Sequence, residues 1–372
     1  MTVPVRRHAY LHNSFVTMLY RDDPLDSSIF INTPQRYRPK NTYQKETSIS
    51  RTHQFFKRIF NLFKSGETKI AKSASNKTSE LIVKDIIKDK VINFVVPLAG
   101  RWETFKRFMM NYEDICLRTN ENVKLVIVLF EDEITDKVSG LKQSKAIQKL
   151  FIQLMAKYGL KDGNRHLNLI LSEGKFSRSI GCELGADTFS TNDLIFFIDV
   201  DIAFTSDFLL RARLNTIEYK QVYYPIVFSE YDPDDTINSI RNVKTEKRSN
   251  QKLRKHHFDF SPNSGYWRHF GFGIVATYNS DLKRVGGFDK SIIGWGKEDV
   301  DLYEKYIKSN MTVFRTVDPG LVHVFHKIEC DPQLNNEQTL MCIGSKSTSI
   351  ASQRVLANLI YQRNSSRLFK PS

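Results

Sequence analysis

The chain has 372 residues, with 55 Lys+Arg against 41 Asp+Glu for a net charge of +14, and is 41% hydrophobic and 12% aromatic. That length allows two domains, or one large α/β domain with an irregular extension, and the apolar content excludes disorder throughout. No run of about 18 apolar residues occurs, and the N-terminal Met-Thr-Val-Pro-Val-Arg-Arg-His lacks the apolar core of a signal peptide.

Residues 1–90 carry 17 Lys/Arg against 8 Asp/Glu, so most of the excess charge lies there. The segment is rich in Ser, Thr, Asn and Lys, with only short apolar clusters at Phe55-Phe56, Ile59-Phe60 and Leu62-Phe63. It reads as a basic, partly irregular arm or linker. From residue 91 the pattern changes. Val91–Leu98 is a nearly continuous apolar run, as in a buried parallel strand. Trp102, Phe105, Phe108, Tyr112 and Ile115 then repeat on one helical face. Lys124–Phe130 predicts a second strand, Leu141–Leu160 a second amphipathic helix, and His166–Leu171 a third strand. Asp193–Asp201 predicts a central strand that runs into Asp199-Val200-Asp201. This alternation points to an α/β sheet of the doubly wound type, in which ligands collect at the carboxyl ends of the strands.

On an extended chain Asp199 and Asp201 face the same side, and such a pair needs a cation between its charges. Their oxygens suit Mg²⁺ or Mn²⁺ holding a diphosphate, although turn or capping aspartates would give the same tripeptide. A second basic stretch, Arg241 to His257, has seven Lys/Arg against Glu246 alone and fits a solvated loop or a polyanion surface. Nucleic acid is disfavoured as that polyanion, because no helix-turn-helix, RNP or zinc-finger pattern accompanies the charge. Downstream, Gly294-Trp-Gly-Lys-Glu-Asp-Val-Asp301 opens a helix predicted over Glu298–Ser309, where the macrodipole favours ionised Glu298 and Asp299. His323 and His326 follow a strand-like run. From an ideal strand they would face opposite sides, so meeting at one metal requires the backbone to turn between them. Cys116, Cys182, Cys330 and Cys342 form no CxxC pair, and the sequons at Asn76, Asn310 and Asn364 permit a secretory-pathway protein.

In order along the chain stand Met1-Thr-Val-Pro-Val-Arg-Arg-His-Ala-Tyr10, Val96-Pro97-Leu98-Ala99-Gly100-Arg101, Phe176-Ser177-Arg178, Phe197-Ile198-Asp199-Val200-Asp201 and Tyr224–Ser229. After them come Gly265-Tyr266-Trp267-Arg268, Val285–Asp289, Gly294–Asp301, Val322-His-Val-Phe-His326 and Met341-Cys-Ile-Gly-Ser-Lys346. Together they resemble a GT-A glycosyltransferase, and more narrowly the C-terminal transferase module of chondroitin sulfate synthases, with residues 20–90 the weakest part of the match.

That resemblance implies a catalytic domain over 91–365 and a short tail at 366–372. It implies inverting transfer of N-acetylgalactosamine (GalNAc) from UDP-GalNAc to the 4-hydroxyl of a terminal glucuronic acid. Asp201, His326 and His323 would hold Mn²⁺, with Asp199 supporting the metal or the donor. Pro97, Leu98 and Arg101 would contact the uridine and diphosphate, and Phe176 with Arg178 would add a second nucleotide contact. Trp295 and Glu298 would position the sugars, and Asp299 would be the general base. Lys297 stands where relatives often have a small or apolar residue, and its side chain is expected to face solvent. The family also implies a Golgi-lumen setting, a heteromeric partner, and a Cys330–Cys342 bridge to a tail helix near residues 345–362. Full-length relatives carry a membrane anchor and a glucuronosyltransferase module before this point, and neither is found in these residues. In this light the 241–257 stretch becomes a candidate surface for the uronate polymer. Two alternatives stay open: a non-catalytic polymerising subunit, and the transferase that adds the first GalNAc to the linkage region.

Overall fold

The computed structural model describes residues 90–131, 142–160, 166–233, 257–292, 296–352, 355–357 and 361. The basic arm up to residue 89, the 241–256 stretch, Trp295 and the 366–372 tail lie outside them. The described strands form one nine-stranded sheet: β1 (Ile92–Leu98), β2 (Val123–Phe130), β3 (Leu167–Ser172), β4 (Leu194–Phe197), β5 (Ile202–Phe204), β6 (Gln221–Glu230), β7 (Gly265–Trp267), β8 (Val275–Tyr278) and β9 (Thr312–His323). Their order is β3-β2-β1-β4-β8-β6-β9-β5, with β7 on β6. The long ladders β1–β2, β2–β3 and β6–β9 are parallel, whereas those joining β8, β7 and β5 are antiparallel and shorter.

Three strand–helix–strand units build the first half, through α1 (Trp102–Tyr112), α2 (Gln143–Tyr158) and α3 (Arg178–Ala186). The second half adds α4 (Ser206–Asn215), α5 (Asn279–Arg284), α6 (Glu298–Lys308) and α7 (Asn336–Ile350). The mixed α/β sheet flanked by helices is the architecture the periodicity predicts, with strand ends shifted by one or two residues. Two expectations are corrected. The strand predicted into Asp201 stops at Phe197, and the tail helix expected near 345–362 starts earlier and breaks at Ala351: α7 runs Asn336–Ile350, and residues 355–357 and 361 are helical again.

Burial follows the two-residue period of β1. Phe94, Val96 and Leu98 face a core completed by Phe105 and Phe108 of α1, Ile147 of α2 and Phe208 of α4. Val95 faces the opposite core, with Cys182 of α3 and Leu302 and Tyr306 of α6. Pro97 is tolerated in this central strand for a local reason. Val95 O accepts from Ile198 N, so by alternation position 97 also turns its nitrogen toward β4, whose ladder has already ended at Val95–Phe197. Helix α3 lies so close to β1 that a Cβ at Gly185 would sit 2.3 Å from Val95 Cγ1, and one at Gly181 would sit 2.9 Å from Pro97 Cβ. This approach delivers Arg178, the first residue of α3, to the carboxyl edge of the sheet.

The bridge expected between Cys330 and Cys342 is present, with the Cα atoms 5.8 Å apart. It ties the segment after His326 to α7, whose start carries a capping box between Asn335 and Gln338. Closing so short a loop limits the unfolded ensemble, so the Cys330→Ser/Cys342→Ser double variant should lose about 2–4 kcal/mol of stability in urea unfolding, with Cys116 and Cys182 still buried and reduced.

Candidate active site

Four segments meet at the carboxyl edge of the sheet: the β1–α1 turn, the β4–β5 loop, the start of α3 and the end of β9. The antiparallel pairing of β5 with β9 sets Ile202 opposite His323, so Asp201, one residue earlier, lands beside the histidine. Val324 N donates to Asp201 O at 2.9 Å, and the chain then leaves the strand and turns. Beyond that turn His326 comes back, with its ring centroid 5.3 Å from that of His323. The opposite-face objection is thereby answered, because only His323 lies on the strand.

Asp201, His323 and His326 present ligand atoms all within 4.8 Å of one another. His326 Nε2 is 3.0 Å from Asp201 Oδ2, and His323 Nε2 is 3.7 Å from Asp201 Oδ1. Lys327 O can only accept, so its 3.0 Å contact with His326 Nδ1 assigns the ring proton to that nitrogen. His326 Nε2 is then the nitrogen that faces the carboxylate, and that contact requires a proton or a cation between them. Asp201 Oδ1 and His323 Nδ1 are buried without a hydrogen-bond partner. Two imidazoles and a carboxylate, one ring already oriented through its other nitrogen, fit a divalent transition-metal cation.

Burial opposes charge on Asp201, yet His323, His326 and Arg101 outweigh it and hold the carboxyl well below its usual range. Burial and the nearby Arg268 push His323 down to about 3, so that ring is neutral at physiological pH. Arg101 therefore carries the permanent part of the compensation, with Nη1 2.9 Å from Asp201 Oδ2. It does so from a left-handed backbone, φ 49°, in the β1–α1 turn, a strained conformation for a residue with a Cβ.

Asp199 points elsewhere. Its Oδ1 accepts from Arg178 Nε at 2.8 Å, so the two carboxylates do not share one partner as an extended strand would have made them do. The Arg178 guanidinium also donates to Gly273 O at 2.5 Å and lies 3.9 Å from Glu298 Oε1. It thus joins the β4–β5 loop, the loop leading into β8 and the first turn of α6. Glu298 is 4% exposed, and its Oε2 has no hydrogen-bond partner. Burial, then the adjacent Asp299, push Glu298 up to about 7 against the pull of Arg178. Asp299 is half-buried, with Oδ2 accepting from Phe272 N at 3.0 Å and Oδ1 from Val300 N at 2.9 Å.

The proton on Glu298 has a consequence for stability. The folded form binds it up to about pH 7 and the unfolded form only to about 4.5, so stability falls as pH rises between these values. Glu298→Gln removes this dependence. Its stability relative to the parent should rise by about 3 kcal/mol between pH 4 and pH 8, measured by urea unfolding at both.

A family profile described as "Chondroitin N-acetylgalactosaminyltransferase" matches residues 1–356. The chain belongs to this family. Among its relatives, chondroitin sulfate synthase 3 of Mus musculus is 39% identical over 367 residues, 98% of this chain and 36% of that one. Chondroitin sulfate N-acetylgalactosaminyltransferase 1 of Mus musculus is 37% identical over 277 residues, 74% of this chain and 48% of that protein. The chain thus spans about a third to a half of these relatives. Among solved structures, the catalytic domain of Drosophila β1,4-galactosyltransferase 7 in complex with xylobiose aligns over 68% of this chain and 79% of that one, at 14% identity and a TM-score of 0.35.

Within this member of the family the structure brings Arg101, Asp201, His323 and His326 into one set of contacts and Arg178, Asp199 and Glu298 into a second, with Asp299 following Glu298 on α6. Leu98 is 1% exposed and belongs to the core, so its side chain does not reach a ligand. Pro97 is buried beside α3, whereas Phe176 is 37% exposed and packs edge-on against Phe130. Trp295 lies outside the described residues. Lys297 faces solvent as expected, and there it ion-pairs with the exposed Glu337 of α7. Sequence reasoning also missed Glu230 at the end of β6. Its Oε2 accepts from Phe325 N at 3.1 Å, beside His326, while its Oε1 meets His257 Nδ1 at 2.7 Å. A carboxylate closing the apolar run Val222–Phe228 was the available signal.

Proposed function

We propose that this chain is an inverting glycosyltransferase domain of GT-A type that moves GalNAc from UDP-GalNAc to the non-reducing terminal glucuronate of chondroitin, forming a β1,4 bond. The observation that carries this reading is the Arg178 junction. It brings the Asp201–His323–His326 cluster's neighbour Asp199 and the carboxylates of α6 to one edge of the sheet, in a chain of this family.

A divalent cation held by Asp201, His323 and His326 would neutralise diphosphate charge. Arg101, hinged at the same carboxylate, is placed to turn its guanidinium to a phosphate oxygen. Inversion needs a base on the face of the sugar opposite the departing UDP. Asp299 supplies a carboxylate to take the proton from the acceptor 4-hydroxyl as that oxygen bonds to the anomeric carbon. Glu298, buried and carrying its proton near neutrality, holds a sugar hydroxyl or N-acetyl group and leaves proton removal to Asp299. Residues 91–365 form the catalytic domain, the 241–257 stretch draws the uronate polymer toward it, and a heteromeric partner completes the polymerase. The disulfide and the exposed sequon at Asn310 support a Golgi-lumen setting.

The test is a donor-by-acceptor matrix with Mn²⁺: UDP-GalNAc, UDP-Gal and UDP-GlcNAc against glucuronate-terminated chondroitin oligosaccharides and the linkage tetrasaccharide. Transfer of GalNAc to the chondroitin oligosaccharide is expected. Preference for the tetrasaccharide would make it the initiating enzyme, and absence of transfer from every donor would sink the reading.

A further inference from the structure

We propose that Arg315 of β9 is a positioning residue for Asp299, acting through the loop Arg268–Gly273; the inference rests on Asp299 being the base. That loop leaves the sheet after Arg268, whose N–H donates to Val227 O of β6, and within it Phe272 N–H is the donor that orients Asp299 Oδ2. The next carbonyl, Gly273 O, is the one that Arg178 holds. Whatever fixes Phe272 therefore fixes the carboxylate.

Arg315 fixes it in two ways. Its Nη2 donates to His269 O at 2.7 Å and Gly271 O at 3.0 Å, bracketing the loop on the N-terminal side of Phe272. Its guanidinium carbon lies 4.5 Å from the Phe272 ring centroid, in stacking range. On α6, Tyr303 stacks on Phe272 with centroids 4.1 Å apart, and it stands one turn beyond Asp299 on the same helix. Strand, loop and helix are thus clamped through one aromatic ring, and the distance from Phe272 N to Asp299 is set by that clamp. A planar fork serves here where an ammonium does not, because two carbonyls and a ring face are engaged by one group.

The experiment measures kcat and KM for both substrates in Arg315→Lys, Asp299→Asn and the double variant, with UDP binding and thermal unfolding as folding checks. Arg315→Lys should lose about 10- to 100-fold in kcat, the scale of an ångström-sized misplacement, with KM for UDP-GalNAc unchanged. In the Asp299→Asn background the same change should have little further effect, since the residue it positions is gone. Phe272→Leu, which removes the stack but leaves the backbone bonds, should also lower kcat and carries the test if Arg315→Lys unfolds. Three outcomes overturn the proposal: parent-level kcat in both variants, a loss confined to donor KM, or a loss undiminished in the double variant. Activity surviving in Asp299→Asn alone would instead overturn the assignment of the base.

Discussion

Asp299→Asn is expected to reduce kcat for GalNAc transfer by about 10²- to 10⁴-fold while UDP and Mn²⁺ still bind. The substitution is nearly isosteric, and its amide oxygen still accepts from Phe272 N, so the loop stays in place while the contact with Val300 N is given up. What disappears is an anionic oxygen able to take the acceptor's proton. The neighbouring Glu298 does not replace it: that group is 4% exposed and keeps its proton to about pH 7. The two adjacent carboxylates thus sit in separate environments, Glu298 buried and Asp299 half-buried. Steady-state transfer rates, set beside UDP affinity by calorimetry, decide the matter. A variant with unimpaired kcat would leave Asp299 a structural cap.

Asp201→Ala should abolish tight Mn²⁺ binding, weakening it by at least about 100-fold, and with it metal-dependent UDP binding. Asp201 is the member of the cluster that touches both others, and Oδ1 is buried without another partner. Its removal leaves two imidazoles and Arg101 facing one another, a set with no anion to hold a cation. Titration of Mn²⁺ by paramagnetic resonance gives the affinity without turnover, and parent-like binding would place the ion elsewhere. Asp199→Ala is the informative contrast. Because Asp199 is paired with Arg178, it should retain the ion while lowering the rate.

The apolar run of β1 and the helical faces of α1 and α2 were visible in the sequence because burial imposes periods of two and 3.6 on any chain that packs that way. The DxD tripeptide, the Glu-Asp pair at a helix start and the His-x-x-His spacing were likewise legible, since each is local. Their meeting was not. Asp201 reaches His323 because β5 pairs antiparallel with β9 across 121 positions, and nothing near either residue announces that register. Likewise the separation of Asp199 from Asp201 follows from β4 ending at Phe197, which frees the intervening backbone to turn one carboxylate toward Arg178 and the other toward Arg101.

The elements, the family and the residue types able to do this chemistry follow from local pattern along the chain. Tertiary structure alone decided which carboxylate faces the histidines, which one keeps its proton, and that Arg315 clamps the loop beside Asp299. Those are matters of distance, burial and neighbouring charge, and they arise only once strands far apart in the chain lie side by side.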